Sequence, residues 1–388
     1  MPVPSAVPAG DGRVPGQGAG VRAGRLLAAR AVVTPPDPSQ PSPDLRPVGG
    51  VREERTRPAV SVPVSGGDRL SAVRAGMAAD GIDALVLRPS PDFRFLGGRG
   101  DGFLVVTMDG AAETADPRPY LPPGVRRVGV DPEMRVRELF GLAVDAELVP
   151  AAQVLAPLRL RKEPYEVAMV ERAALAAESV LACAPELSWF GATERAMATR
   201  LRVLALEAGC EEVLSVRVTA GPGTAAPGSS ASDRVINPGD ALLVSLSARW
   251  DGYCAEVARV FAVAEPPEDY DAVYSVVVAA RHAGMAAARP GVPAAAVAAA
   301  VAQAVDDSGY GRFAAPGAGR GVGLGADEGP RLRADDDTPL EAGMVLCLEP
   351  AIYVPDLFGA RVADIVACTE SGPRPLTTAP SSLPVLER

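Results

Sequence analysis

Apolar residues first recur with a clear period after residue 66. In GGDRLSAVRAGMAADG, Leu70, Val73 and Met77 fall three and four positions apart, which predicts one helix closed by Gly81. The run ALVL that follows reads as a buried strand. Two more apolar runs, GFLVVT and RRVGVD, are bounded by turn residues and predict further strands of a small α/β domain ending near Pro150.

A second pattern begins at LRLRKEPYEVAMVERAALAAESVLACA, a long helix with Pro164 in its first turn, where the missing N–H costs nothing. Helices are predicted from about Thr193 to Gly209, Tyr270 to Arg289 and Val292 to Asp307. They alternate with strands at VLSVRVTAG, ALLVSLSARW, GYCAEVARVFAV, MVLCLEPAIY and ARVADIVACT. Strand pairs mixed with helices predict an α+β fold whose sheet is covered on one face. Residues 1–66 are rich in Pro, Gly, Ser and Arg without periodicity, so they are expected to be a disordered extension. The expected division is therefore 1–66 extension, 67–155 α/β domain and 156–388 α+β domain.

Composition narrows the function. Across 388 residues, 38 Lys and Arg stand against 48 Asp and Glu, a net charge of −10 that offers no footprint for nucleic acid. Five cysteines at 183, 210, 254, 347 and 368 show neither a disulfide framework nor a CxxC zinc spacing, as expected in a reducing cytoplasm. No export signal is read, and no apolar run is long enough for a membrane span. Lys162, Asn237 and His282 are each the only residue of their type. Avoidance of AT-rich codons accounts for rare Lys and Asn but not for rare His, so the missing histidines are a chemical clue.

Four segments in order, LRLRKEPYEV, GDALLVSLSARWDGYCAEVARVF, GRGVGLGADEGPRL and LEAGMVLCLEPAIY followed by GARVADIV, resemble the pita-bread family of aminopeptidase P, prolidase, creatinase and methionine aminopeptidase. The resemblance runs from about Gly67 to the C-terminus. It implies a creatinase-type N-terminal α/β domain followed by a pita-bread domain. In working members, two Asp, one His and two Glu hold two divalent metals. Position by position, those ligands fall here on Ser245, Glu256, Arg320, Glu349 and Ala363, and two further family histidines fall on Gly228 and Asp327. Only Glu349 is unchanged.

The family's set carries about four negative charges, which suits two divalent ions. The set here sums to −1, and Arg320 can neither ligate nor lose its proton. No metal and no cofactor is expected. Arg320 is instead expected to lie where a metal would lie and to bond Glu256 and Glu349. Those three, with Cys254, are the candidate catalytic residues. Cys254 and Glu256 share one strand face, as do Cys347 and Glu349, so both thiols are expected either at the same cleft or as small buried hydrophobes. Asp327, Arg361, Asp364 and Ser245 are candidate substrate contacts, with Glu328 beside Asp327 on a loop that binds substrate or shapes the rim. His282 is expected on an outer helix.

The function expected first is a metal-independent enzyme acting on a small polar molecule, as a C–N hydrolase, lyase, cyclase or isomerase. Creatinase is the family's precedent for working without metal, although its acid/base imidazole falls here on Gly228. The alternatives are a non-catalytic binding protein and, last, an Xaa-Pro metallopeptidase. The expected partner is a small or peptide-like ligand, with no nucleic acid and no membrane, in a homodimer.

Overall fold

The computed structural model describes residues 67–387; the expected extension lies outside the described residues. The first helix is Gly67–Asp80, and Gly81 at φ 64 takes the left-handed conformation that ends it. Val73 and Met77 on that helix are fully buried against Leu85, Leu87 and Leu104. The expected strand Ala84–Leu87 is the centre of a five-stranded sheet. It runs antiparallel to Phe103–Thr107 and parallel to Arg127–Val130, and Ala111–Thr114 and Glu147–Pro150 form the edges.

The helix Pro164–Ala182 buries Val170, Ala173, Ala174, Ala177, Val180 and Leu181. Its first turn is held by the Glu166 carboxylate, which accepts the Glu163 N–H at 2.8 Å. Small side chains on the buried face let this helix approach the sheet beneath it closely. That sheet has four strands, in the order Val385–Leu386, Tyr253–Val263, Ala241–Trp250 and Glu212–Ala220. A further sheet of five strands has the order Glu328–Leu332, Gly319–Gly321, Val345–Leu348, Asp364–Thr369 and Gly372–Pro375. The helices Tyr270–Ala287 and Ala294–Asp306 pack against this sheet, and Glu194–Glu207 packs against the four-stranded one.

These two sheets meet at Ala258 and Ala363, which exchange backbone hydrogen bonds of 3.2 and 3.1 Å. The α+β architecture and the long helices stand within a few residues of where the apolar periodicity predicts them. Two predicted strands differ. MVLCLEPAIY and ARVADIVACT each break in the middle, into Val345–Leu348 and Ala351–Val354, and into Phe358–Arg361 and Asp364–Thr369. Pro350 has no N–H to continue the ladder, and the chain leaves the sheet there to form the two-stranded ribbon of Ala351–Val354 with Phe358–Arg361. The break sets Glu349 and Arg361 at the corner where the sheets converge. Among the described residues, no helix is long and apolar enough to cross a membrane.

Candidate functional site

Glu256 lies on Tyr253–Val263 and pairs across the ladder with Ser247, so both side chains stand on the same face. Arg320 lies on the short strand Gly319–Gly321, opposite Cys347. Its two flanking glycines are required by close backbone approach: a Cβ at Gly319 would stand 2.0 Å from the Cys347 carbonyl oxygen, and one at Gly321 would stand 1.9 Å from that of Gly329. The strand therefore runs deep enough for the Arg320 side chain to reach both carboxylates.

Four side chains close a ring. Arg320 Nη2 donates to Glu256 Oε2 at 2.7 Å, and Arg320 Nη1 donates to Glu349 Oε1. From the other side, Arg361 Nη2 donates to Glu256 Oε1 at 2.7 Å and lies 3.0 Å from Glu349 Oε2. Each carboxylate oxygen faces a guanidinium, and the charges of the ring cancel. Arg320 Nε is fixed further by the Ala326 carbonyl at 2.9 Å. The expected meeting of Arg320 with Glu256 and Glu349 is thus present in the geometry. Arg361, expected as a substrate contact, belongs to the same ring because the broken strand brings it there.

Burial alone would push the Glu256 carboxyl up, but the Arg361 and Arg320 guanidiniums outweigh it and hold it down at about 2. A carboxylate held that low is a poor general base and carries no proton to give near neutrality. Cys254 and Cys347 are fully buried and do not line the cleft, so the expectation that the thiols share it gives way to the small-hydrophobe reading. Cys254 donates to the Leu324 carbonyl, and burial pushes its thiol up to about 11. Burial likewise pushes Cys347 up to about 12, despite the Arg320 charge beside it. Neither supplies a thiolate nucleophile. In the native protein a disulfide-exchange reagent should therefore titrate Cys183, the one half-exposed cysteine among the described residues, well before the four buried ones. Fast labelling of two or more thiols would contradict this placement.

The remaining expected residues separate. Ser245 is buried on the same strand face as Ser247 and does not line the cleft, and Ala363 is a buried methyl group at the sheet junction. Asp364, expected to touch substrate, is instead completely buried. Its Oδ1 accepts from Arg259 at 2.8 Å and from Thr377 at 2.6 Å, while Oδ2 accepts from Arg281 and from the Ala379 N–H. Glu328 shapes the rim from within: it is buried, 2.9 Å from the lone lysine Lys162, and it also pairs with Arg159. Arg159 in turn holds Asp92 at 2.6 Å. Asp327 reaches the cleft, half-exposed and paired with Arg331. His282 is exposed on the helix Tyr270–Ala287, away from the cleft.

The ring forms one wall of a cleft of about 580 Å³. Four arginines (320, 331, 333 and 361) face three carboxylates (Glu256, Asp327 and Glu349), a local excess of one positive charge on a chain of net charge −10. Sequence reasoning missed Ser247, Tyr353, Arg331 and Arg333 in this lining. Ser247 could have been found by the period of two from Ser245; the others depend on where the chain leaves the sheet.

Metallopeptidase family M24 matches residues 168–370, just over half of the chain. The chain is 31% identical over 359 residues to a probable dipeptidase PepE of Mycobacterium tuberculosis, covering 82% of this chain and 96% of that protein. It is 26% identical over 330 residues to an Xaa-Pro dipeptidase of Pyrococcus horikoshii, covering 78% and 94%. The crystal structure of dipeptidase PepE from Mycobacterium ulcerans superposes with a TM-score of 0.74 at 30% identity, over 82% of this chain and 97% of that one. With the ordered motifs and the sheet junction in place, the chain belongs to metallopeptidase family M24.

Proposed function

We propose that this is a metal-free member of the family whose cleft binds a small polar ligand and does not hydrolyse peptides. The observation that carries the reading is the ring: the Arg320 guanidinium stands between Glu256 and Glu349, which the family resemblance makes ligand positions. A cation bonded to the protein takes the place of cations bound from solution. The donor set does not fit two divalent ions, because the oxygens of both carboxylates face guanidiniums and positions 245 and 363 offer only a hydroxyl and a methyl. Among the described residues, no group of three or more His, Cys, Asp or Glu is placed to hold a metal.

The same geometry favours binding over the metal-independent catalysis expected first. Glu256 is held ionised, the thiols of Cys254 and Cys347 are held protonated by burial, and the single imidazole lies outside the cleft. Neither Glu256 nor the two thiols is therefore set to exchange a proton near pH 7. Xaa-Pro dipeptides, the substrates named for the Pyrococcus relative, should therefore remain uncleaved with manganese, cobalt or zinc supplied. Turnover that appears on metal addition and disappears with a chelator would end this reading.

A further inference from the structure

Arg320 is anchored through all three of its side-chain nitrogens, and one anchor comes from outside the ring. Nη1 and Nη2 meet the two carboxylates, but Nε donates to the Ala326 carbonyl at 2.9 Å. A second oxygen near Nε, Asp327 Oδ1 at 3.8 Å, sits on the same loop, 322–327. Ala326 and Asp327 also line the cleft. What orients this loop therefore orients both the guanidinium and part of the cleft wall. The first half of the loop is tied to the four-stranded sheet, since the Leu324 carbonyl accepts from Arg249 Nη1 at 2.9 Å and from the Cys254 thiol. The second half is tied to Glu328, whose Oε1 accepts the Gly325 N–H at 2.7 Å.

Glu328 is itself gripped from behind. Lys162 Nζ donates to Oε2 at 2.9 Å, and Arg159 Nη2 donates to Oε1. Burial alone would push the Glu328 carboxyl up, but Lys162 and Arg159 hold it below its ordinary value, so it remains an ionised acceptor. The loop lies directly on this pair: a Cβ at Gly323 would stand 2.6 Å from Lys162 Cε and 2.8 Å from Glu328 Oε2. The network ends in the first domain, where Asp92 Oδ1, on the short helix Pro91–Phe95, accepts from Arg159 Nη1 at 2.6 Å. Two acids and two bases thus balance one another without the ring. Buried ion pairs are often no more stabilising than apolar residues of the same volume, so stability alone does not account for four of these charges together. Their connection to the loop does.

We infer that Glu328 is a positioning residue for Arg320, and that Asp92 of the first domain steadies it through Arg159. The inference rests on the metal-free reading, in which Arg320 stays in the ring. Bonds run from Asp92 through Arg159 and Glu328 to the Gly325 N–H, and from the adjoining Ala326 carbonyl to Arg320 Nε. Seating of the first domain thereby bears on a cleft to whose lining that domain contributes no residue.

Hydrogen exchange at arginine Nε–H groups, read by NMR on the full chain in buffer containing a chelator, tests the relay. Arg281, whose Nε donates to the buried Asp364, serves as the reference, since it shares no hydrogen bond or ion pair with the relay among the described residues. Each resonance is identified by its loss in the corresponding lysine variant. Glu328→Gln keeps the shape of the side chain and removes its charge. Exchange at Arg320 should quicken about tenfold, the scale of one hydrogen bond to a charged group, while Arg281 is unchanged. Asp92→Asn should quicken Arg320 several-fold, again without Arg281, and carries the test if Glu328→Gln does not fold. A merely structural role would speed both arginines together, through opening of the whole domain. Equal acceleration at both, or an unchanged Arg320 in the variants that fold, would overturn the relay. Loss of the wild-type Arg320 protection when zinc replaces the chelator would overturn the metal-free reading, and with it the ring that the relay serves.

Discussion

Arg320→Ala should lower the stability of the folded protein by about 3–5 kcal/mol near pH 7, the usual cost of removing one partner from a buried pair. Arg320, Glu256 and Glu349 have side chains 17%, 14% and 16% exposed, so solvent screens the remaining charges poorly. With Arg320 gone, two carboxylates face one guanidinium, that of Arg361. The sign of the pH dependence follows from Glu256. In the wild type its carboxyl is depressed from 4.5 to about 2, so its contribution is complete above about pH 4.5 and is lost as the pH falls toward 2. In the mutant, burial is opposed by one guanidinium fewer and the carboxyl moves upward. Protonation then relieves the repulsion, and the deficit relative to wild type should shrink as the pH falls from 7 to 5. Thermal midpoints of both proteins across that range provide the check. Coincident midpoints at every pH would show that Arg320 does not bridge the carboxylates.

An effect of similar size is expected at Asp364, which has no exposed surface and receives bonds from Arg259, Arg281, Thr377 and the Ala379 backbone. Asp364→Ala leaves Arg281, itself 2% exposed, without a carboxylate, while Arg259 keeps Glu178 at 2.7 Å. An uncompensated buried guanidinium should again cost about 3–5 kcal/mol. Asp364→Asn keeps the shape and half the acceptors and should lie between wild type and alanine. Denaturant unfolding of the three proteins checks that order. A stable Asp364→Ala protein would place this cluster at the surface.

The long helices were legible because they bury one face each, and that burial imposes a period the residues display, as Val73 and Met77 do. Strand existence was legible for the same reason, but strand continuity was not. Only the paired register shows that the chain turns out of the sheet at Pro350 and returns at Arg361. The ring was half legible. Arg320, Glu256 and Glu349 follow from charge balance at positions that a shared fold brings together. Arg361 was seen but read as a substrate contact, because nothing local distinguishes an arginine that pairs inward from one that points to a ligand. Asp364 was misplaced for the converse reason: its partners Arg259 and Arg281 are 105 and 83 residues away in the chain.

The central claim is that a guanidinium has taken the place of a metal pair, and metal stoichiometry tests it most directly. The full chain would be dialysed against excess manganese, cobalt or zinc, freed of loosely bound ions, and its bound metal counted per chain by elemental mass spectrometry. The ring of Arg320, Arg361, Glu256 and Glu349 predicts a value near zero for each metal, unchanged between wild type and the Arg320→His variant, since Ser245 and Ala363 still supply no carboxylate. A value near two per wild-type chain would contradict the account.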